Sequence, residues 1–471
     1  MKNNEVVMTE GNFYKKILFY AIPLFLTGAL QLFYNAADLI VCGIFGSPNA
    51  TAAISSTNSL SGFLVQFSIG LSLGANAVMA KAYGANDKVK GQKIVYTSMV
   101  VSIVFGIILS MIGIAFCDEI LVLMKADPEV IVDSTLYLKL FFVSLPFSMI
   151  YNFGASIFRA IGDSKRPFIF LAISGGANIV LNVLFVVVFK LDVAGVAIAT
   201  IISQLLAATL IVIALFRYHG FFHFNIKELR ISKEEFLEVM VVGLPAGIQN
   251  SIFSISNMVL QSSVNSLGLA VISGYGASSS IEGFGLTAMN SFGQAAMVFI
   301  AANMGAKRID NVKKIIWICI MYIVLSNVLI GGLLLPFSKP LLSLYVSRQA
   351  EPLRSESIHQ GQIKLFTIVL TQFLCGIMHL FAFSMRGLGK STTPMLSTLI
   401  SICGFRLFWI YVMFNNTPEL QSIFGIAVSY PISWVFTASI NLIFLIIFYK
   451  KAYFNYNKEC EELLLDAETQ K

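Results

Sequence analysis

Charged residues are scarce in this chain of 471 residues: Asp, Glu, Lys and Arg together make up 12%, against 57% hydrophobic, and the mean hydropathy is +0.79. A soluble globular domain carries about 25% charge, so that class is excluded and an all-α polytopic membrane protein is expected. Cysteine is sparse too. The six, Cys42, Cys117, Cys319, Cys375, Cys403 and Cys460, are scattered without a CxxC pair, which suggests neither a disulfide framework nor a metal site. Of the four histidines, His219 and His223 stand four apart but lack the carboxylate partners of a zinc site, and His379 reads as a packed polar residue. No cofactor is expected. No cluster of His or acids falls inside an apolar run, so a membrane-embedded enzyme is not expected either. The polar first residues lead into no short hydrophobic region with a cleavage site, so the first span is expected to be retained. The formal excess of seven positive charges is accounted for by membrane topology, and nucleic acid is not an expected partner.

Apolar surface is what the chain has in quantity, including 40 Phe and 17 Met suited to lipid-facing and adaptable packing. It is organised around one run, PLFLTGALQLFYNAADLIVCGIFG from Pro23 to Gly46, which is long enough to cross a bilayer at about 1.5 Å per residue. That run holds Tyr34, Asn35 and a lone carboxylate, Asp38. An ionised Asp near a bilayer centre costs about 2.5–3.5 kcal/mol, so one that stays there faces a cavity or the bundle interior. Asp38 is therefore the first functional candidate, weighed against a plain hydrogen bond to a neighbouring helix. Pro23, on the same span, is a candidate gate that kinks the helix and changes the exposure of Asp38 on protonation.

About twelve apolar segments can be read, six before a polar stretch from Arg217 to Glu238 and six after it. The expected division is an N-terminal six-helix lobe over 1–216, a connector over 217–238, a C-terminal six-helix lobe over 239–450 and a charged tail over 451–471. Basic clusters such as Lys15/Lys16, Lys165/Arg166, Lys307/Arg308 and Lys450/Lys451 fall on one face, while the opposite loops carry Asp118, Glu119, Asp127, Glu129 and Glu419. The positive-inside rule then puts the basic face, and both termini, in the cytoplasm.

The two halves repeat one another. Arg159-Ala-Ile-Gly-Asp-Ser-Lys-Arg-Pro167 and Arg386-Gly-Leu-Gly-Lys-Ser-Thr-Thr-Pro394 share R-x-x-G-x-S-x-x-P; Pro23 and Asn35 fall opposite Pro245 and Asn257, and Gly84-Ala85 opposite Gly305-Ala306. An even number of spans per half gives both lobes the same orientation, an arrangement suited to carriers that rock one bundle against the other around a midplane site. Nucleotide drive is not expected. The one P-loop lookalike, Gly387-Leu-Gly-Lys-Ser391, has Ser384 where the motif needs Gly. An ion gradient is the expected energy source.

These residues resemble a known family. The run Pro23 to Gly46 with Asn35 and Asp38, the segment Tyr151 to Pro167, Ala194-Gly-Val-Ala-Ile-Ala-Thr200 and Ile281-Glu-Gly-Phe284 are similar to bacterial multidrug and toxic compound extrusion (MATE) transporters, over nearly the whole chain. The resemblance implies a V-shaped pair of six-helix lobes in the bacterial inner membrane, acting as a monomer, that exports organic, mostly cationic and amphipathic compounds by alternating access against protons or sodium. Asp38 matches the carboxylate that takes the coupling ion. Asn178, Asn182 and Thr200 match the polar pocket around it in archaeal and DinF-type members; the second of the pair is an Asp in the archaeal pattern, and one carboxylate rather than two favours a proton or a weakly held cation. Spacing independently puts Asn178 and Asn182 on one helix face. Phe253 and Cys375 stand at the positions aligned with the second-lobe carboxylates of NorM-type, sodium-coupled members, which places the chain nearer the DinF type. Glu282 matches a second-lobe Glu that would meet cationic substrate or a second proton, with the Ser278–Ser280 run as its plainer partner. Tyr34, Asn35, Gln249, Asn250, Asn257 and Met289 are the remaining candidate substrate contacts, polar groups among apolar ones. Arg406 is open between snorkelling, pairing with an acid and touching substrate. The glycine pairs Gly70/Gly74 and Gly243/Gly247 read as close helix packing. The alternatives are sodium coupling, or a lipid-linked oligosaccharide flippase of the same superfamily, which would be expected to carry a basic cavity.

Overall fold

The computed structural model describes residues 5–123, 130–347 and 349–469; Asp127 and Glu129, and the side chains of Asn35 and Cys460, lie outside the described residues. In the first half α1 runs Phe13–Phe45, α2 Pro48–Gly84, α3 Lys88–Ala115, α4 Cys117–Leu123, α5 Ile131–Ala160, α6 Lys165–Val183 and α7 Asp192–Phe216. In the second half α8 runs Lys233–Asn265, α9 Leu269–Gly305, α10 Asp310–Leu334, α11 Ser338–Tyr345, α12 Leu353–Gly387, α13 Thr392–Thr398, α14 Phe405–Phe408 and α15 Ile423–Thr469. Among the described residues twelve helices are long and apolar enough to cross a membrane, as the hydropathy of the sequence leads one to expect. Large apolar side chains such as Phe19, Met111, Trp317 and Val328 point outward, the reverse of a soluble protein, because lipid rather than water meets those faces.

The repeated motif has a physical reading. Gly162 (φ +88°) and Gly389 (φ +79°) take the left-handed conformation that glycine adopts without a Cβ penalty. Around them Asp163 N–H donates to Phe158 C=O and Gly162 N–H to Arg159 C=O, at 3.0 Å each, while Lys390 N–H donates to Met385 C=O and Gly389 N–H to Arg386 C=O, at 2.8 Å each. Both are Schellman closures, which satisfy the last carbonyls of α5 and α12. Pro167 and Pro394 then sit in the first turn of α6 and α13, where a missing N–H costs nothing.

Two compact units divide the chain by contact: Met1–Val6, Ile22–Tyr83 and Asp87–Ser254 in the first, Val7–Ala21, Gly84–Asn86 and Ile255–Lys471 in the second. Membership changes within α1, next to Pro23, and within α8. In the first unit the two glycine pairs face each other: a Cβ on Gly70 would lie 2.5 Å from Gly247 Cα, and one on Gly74 would lie 2.1 Å from Val239 O. The backbones of α2 and α8 touch there, as small-residue spacing predicts.

Candidate functional site

In the first unit α1, α6 and α7 supply the polar groups. Asn178 and Asn182, four residues apart on α6, share a face, and Asn182 Nδ2 donates to both Asp38 Oδ1 (2.5 Å) and Asn178 Oδ1 (3.2 Å). Asn178 Nδ2 donates in turn to Ser203 Oγ on α7 (3.3 Å), whose hydroxyl donates to Thr200 C=O (3.0 Å). A carboxylate thus ends a hydrogen-bonded chain that crosses three helices. Thr200 joins it through its backbone only, because its hydroxyl donates to Val196 C=O at 3.0 Å. Ser203 is the member that sequence reading passed over; its signal was the three-residue step from Thr200 on one helical face. Asn182 Oδ1 is buried and has no partner among the described residues. Tyr34, one turn before Asp38, donates to Leu171 C=O (3.3 Å) or Ala172 C=O (3.4 Å), and its ring fits because Gly175 has no side chain: a Cβ there would lie 1.8 Å from Tyr34 Cζ. The same helices continue into an apolar cluster with Val41, Cys42, Val186, Val193 and Val196, which backs the polar chain.

Pro23 is buried within α1, and its carbonyl accepts from Thr27 Oγ1 at 2.7 Å. Gln249 is buried and Asn250 half-buried, with Asn250 Nδ2 donating to Gln66 C=O at 3.4 Å; both belong to the first unit, on α8. After Asn182, α6 passes into a π-helical turn at Leu184–Val188. Such turns are rare and frequent at functional sites.

The second unit holds a different array. Glu282 on α9 is ion-paired with Lys364 on α12 (2.9 Å), and Lys364 Nζ also donates to Ser279 Oγ (2.6 Å) and lies 3.9 Å from the centre of the Tyr275 ring. Tyr275 and Tyr430 hydroxyls are 2.7 Å apart, and the Arg406 guanidinium lies 4.3 Å from the centre of the Tyr430 ring. Gln372 Nε2 donates to Glu282 C=O (2.9 Å), and a Cβ on Gly285 would collide with Gln372. Glu282 therefore has a cation of its own, with Ser279 bonded to that cation. Lys364 was missed by sequence reading because it sits near the start of an apolar segment; the helix in fact begins earlier, at Leu353, and carries Lys364 well inside with no exposure at all. Asn257 is exposed and accepts from Arg406, while Met289 is buried against Gly376.

The model of the family described as MatE matches residues 23–184 and again 245–412, the two halves of the repeat, starting at Pro23 and Pro245. The chain is 29% identical over 449 residues to a probable multidrug resistance protein, YoeA, of Bacillus subtilis (strain 168), covering 93% of this chain and 94% of that one. It is 24% identical over 426 residues to the multidrug export protein MepA of Staphylococcus aureus (strain NCTC 8325 / PS 47), covering 90% and 93%. Among solved structures, one described as the outward-facing conformation of a multidrug resistance MATE family transporter of the MOP superfamily superposes with a TM-score of 0.87 at 19% identity, covering 95% of this chain and 98% of that one.

Proposed function

We propose, from the premise that this chain belongs to the MatE family, that it is a secondary active multidrug exporter which moves amphipathic, mostly cationic organic compounds across the bacterial inner membrane in exchange for protons. Multidrug efflux is supported by the names of relatives aligned over nearly the full length, and membrane embedding by the twelve candidate spans. The observation that carries the coupling is Asp38: its described hydrogen-bond partner is a neutral amide, so no fixed cation competes with a proton or a cationic solute for the carboxylate. A proton and an organic cation would then exclude each other, which is the requirement for exchange. One pH unit is worth about 1.4 kcal/mol, so a single carboxylate couples usefully.

Mechanistically, deprotonated Asp38 accepts from Asn182. A proton taken from outside turns the carboxyl into a donor, and the same amide offers it Asn182 Oδ1, an acceptor with no partner among the described residues. That change reverses one hydrogen bond between α1 and α6, and Pro23 leaves α1 without one of its own bonds at the point from which it would bend. The same orphan oxygen favours a second reading, in which a sodium ion is held by Asp38 and Asn182. The deciding experiment is efflux of a fluorescent organic cation from vesicles containing the purified protein, under a pH gradient and separately under a sodium gradient, for wild type and Asp38→Asn. Efflux driven by pH and lost in the variant is expected; sodium-driven efflux would support the second reading, and efflux unaffected by the substitution would remove Asp38 from the coupling.

A further inference from the structure

Among the described residues of the second unit, buried charge does not cancel. Glu282 is matched by Lys364, whereas Arg406, only 2% exposed, makes none of the described ion pairs. Its Nη1 donates to Ser256 Oγ (3.3 Å) and Asn257 Oδ1 (3.2 Å), and its Nε has no partner among the described residues. Guanidinium offers five donors in a planar fork, and a buried charge left without a counter-charge is destabilising. Arg406 sits on α14, four residues of α-helix between π-helical turns at Leu399–Gly404 and Trp409–Phe414. Asn257, which it holds, is exposed, so the donor set is not sealed off.

The internal repeat sets Arg406 opposite the polar chain of the first unit. Asn257 falls opposite Asn35, three residues from Asp38, and the shared R-x-x-G motif puts Phe405 opposite Asn178. Arg406 thus stands one residue from the counterpart of Asn178. In the first unit this pair of spans joins a carboxylate to amides; in the second the same pair joins an amide and a hydroxyl to a guanidinium. The elements are equivalent and the charge is opposite.

We infer that Arg406, with Ser256 and Asn257, forms a binding site for a singly charged oxyanion, a carboxylate on an aromatic or amphipathic solute that the protein exports. A carboxylate satisfies the guanidinium fork in the plane where its donors point, and supplies the charge that is missing. Tyr430, already stacked on Arg406, offers an aromatic face beside it. Export of the solute rests on the proposed transport function; binding at Arg406 does not.

The test is equilibrium binding of a fluorescent aromatic carboxylate and of its neutral methyl ester to the purified full-length protein in detergent, with no ion gradient, so that failure of proton coupling leaves the result untouched. Wild type is expected to hold the acid about 10-fold to 100-fold tighter than the ester. Arg406→Gln should erase that preference and Arg406→Lys keep part of it. Should Arg406→Gln fail to fold, Asn257→Ala is expected to weaken the acid and not the ester. Equal binding of acid and ester by wild type, or an intact preference in either Arg406→Gln or Asn257→Ala, overturns the proposal. Phosphatidylglycerol is added in parallel, against phosphatidylcholine: no displacement supports a soluble ligand, whereas displacement by the anionic lipid alone would assign the oxyanion site to a headgroup and overturn export of a carboxylate.

Discussion

Asp38 and Glu282 are both carboxylates in apolar spans, and their neighbours give them different work. Asp38 meets the amide of Asn182, which stabilises its charge without cancelling it. Glu282 meets the ammonium of Lys364 at 2.9 Å in surroundings that hide both. Removing one partner of such a pair leaves an uncompensated buried charge, whereas removing both leaves none. Lys364→Met alone is expected to lower stability by about 3–5 kcal/mol, and Glu282→Gln added to it to restore most of that loss, measured by thermal unfolding in detergent. Equal damage from the single and double variants would show that Lys364 stabilises by packing rather than by charge. Both carboxylates were legible in the sequence as ionisable residues out of place; the sign of what each faces was not, because Lys364 is 82 residues from Glu282 along the chain and only the packing of α9 on α12 joins them.

At the scale of elements, glycine decides which helices touch. Gly74 lies against the Val239 carbonyl so closely that any Cβ must push α2 and α8 apart, whereas a Cβ on Gly176 would meet nothing within 4 Å. Gly74→Val is therefore expected to destabilise the protein by about 1–3 kcal/mol or more, and Gly176→Ala to be neutral within about 0.5 kcal/mol, read by the same thermal unfolding. A neutral Gly74→Val would mean that α2 and α8 are free to separate. The spacing of Gly70/Gly74 and Gly243/Gly247 announced a close contact and the structure supplies the pairing. The repeated R-x-x-G-x-S-x-x-P was legible as a repeat and acquires its cause here, a left-handed glycine that closes α5 and α12 and lets the next helix start within a few residues. The π-helical turns beside Asn182 and Arg406 left no mark in the residue pattern, because a one-residue change in helical register is set by packing rather than by side-chain type.

For the whole molecule, a transporter that exchanges one proton for one monovalent cation moves no net charge. Efflux of such a cation should follow an imposed pH gradient and show no response to membrane potential alone, each set with ionophores in the same vesicles; efflux driven by potential alone would refute one-for-one exchange. Length, hydropathy and the internal repeat were enough to establish an all-α membrane protein of about twelve spans and a family resemblance, since each span must satisfy its own backbone in lipid and so declares itself locally. Asp38, Asn178 and Asn182 could be singled out for the same reason: a polar group in an apolar run costs free energy and needs a purpose. What the tertiary structure alone decided is which groups meet. It paired Glu282 with Lys364, turned the Thr200 hydroxyl back onto its own helix, brought Ser203 into the chain that ends at Asp38, and left Arg406 buried with no ion pair among the described residues. Those outcomes depend on contacts between residues far apart in the chain, and a side chain's charge is compensated or free only once its neighbours from other helices are in place.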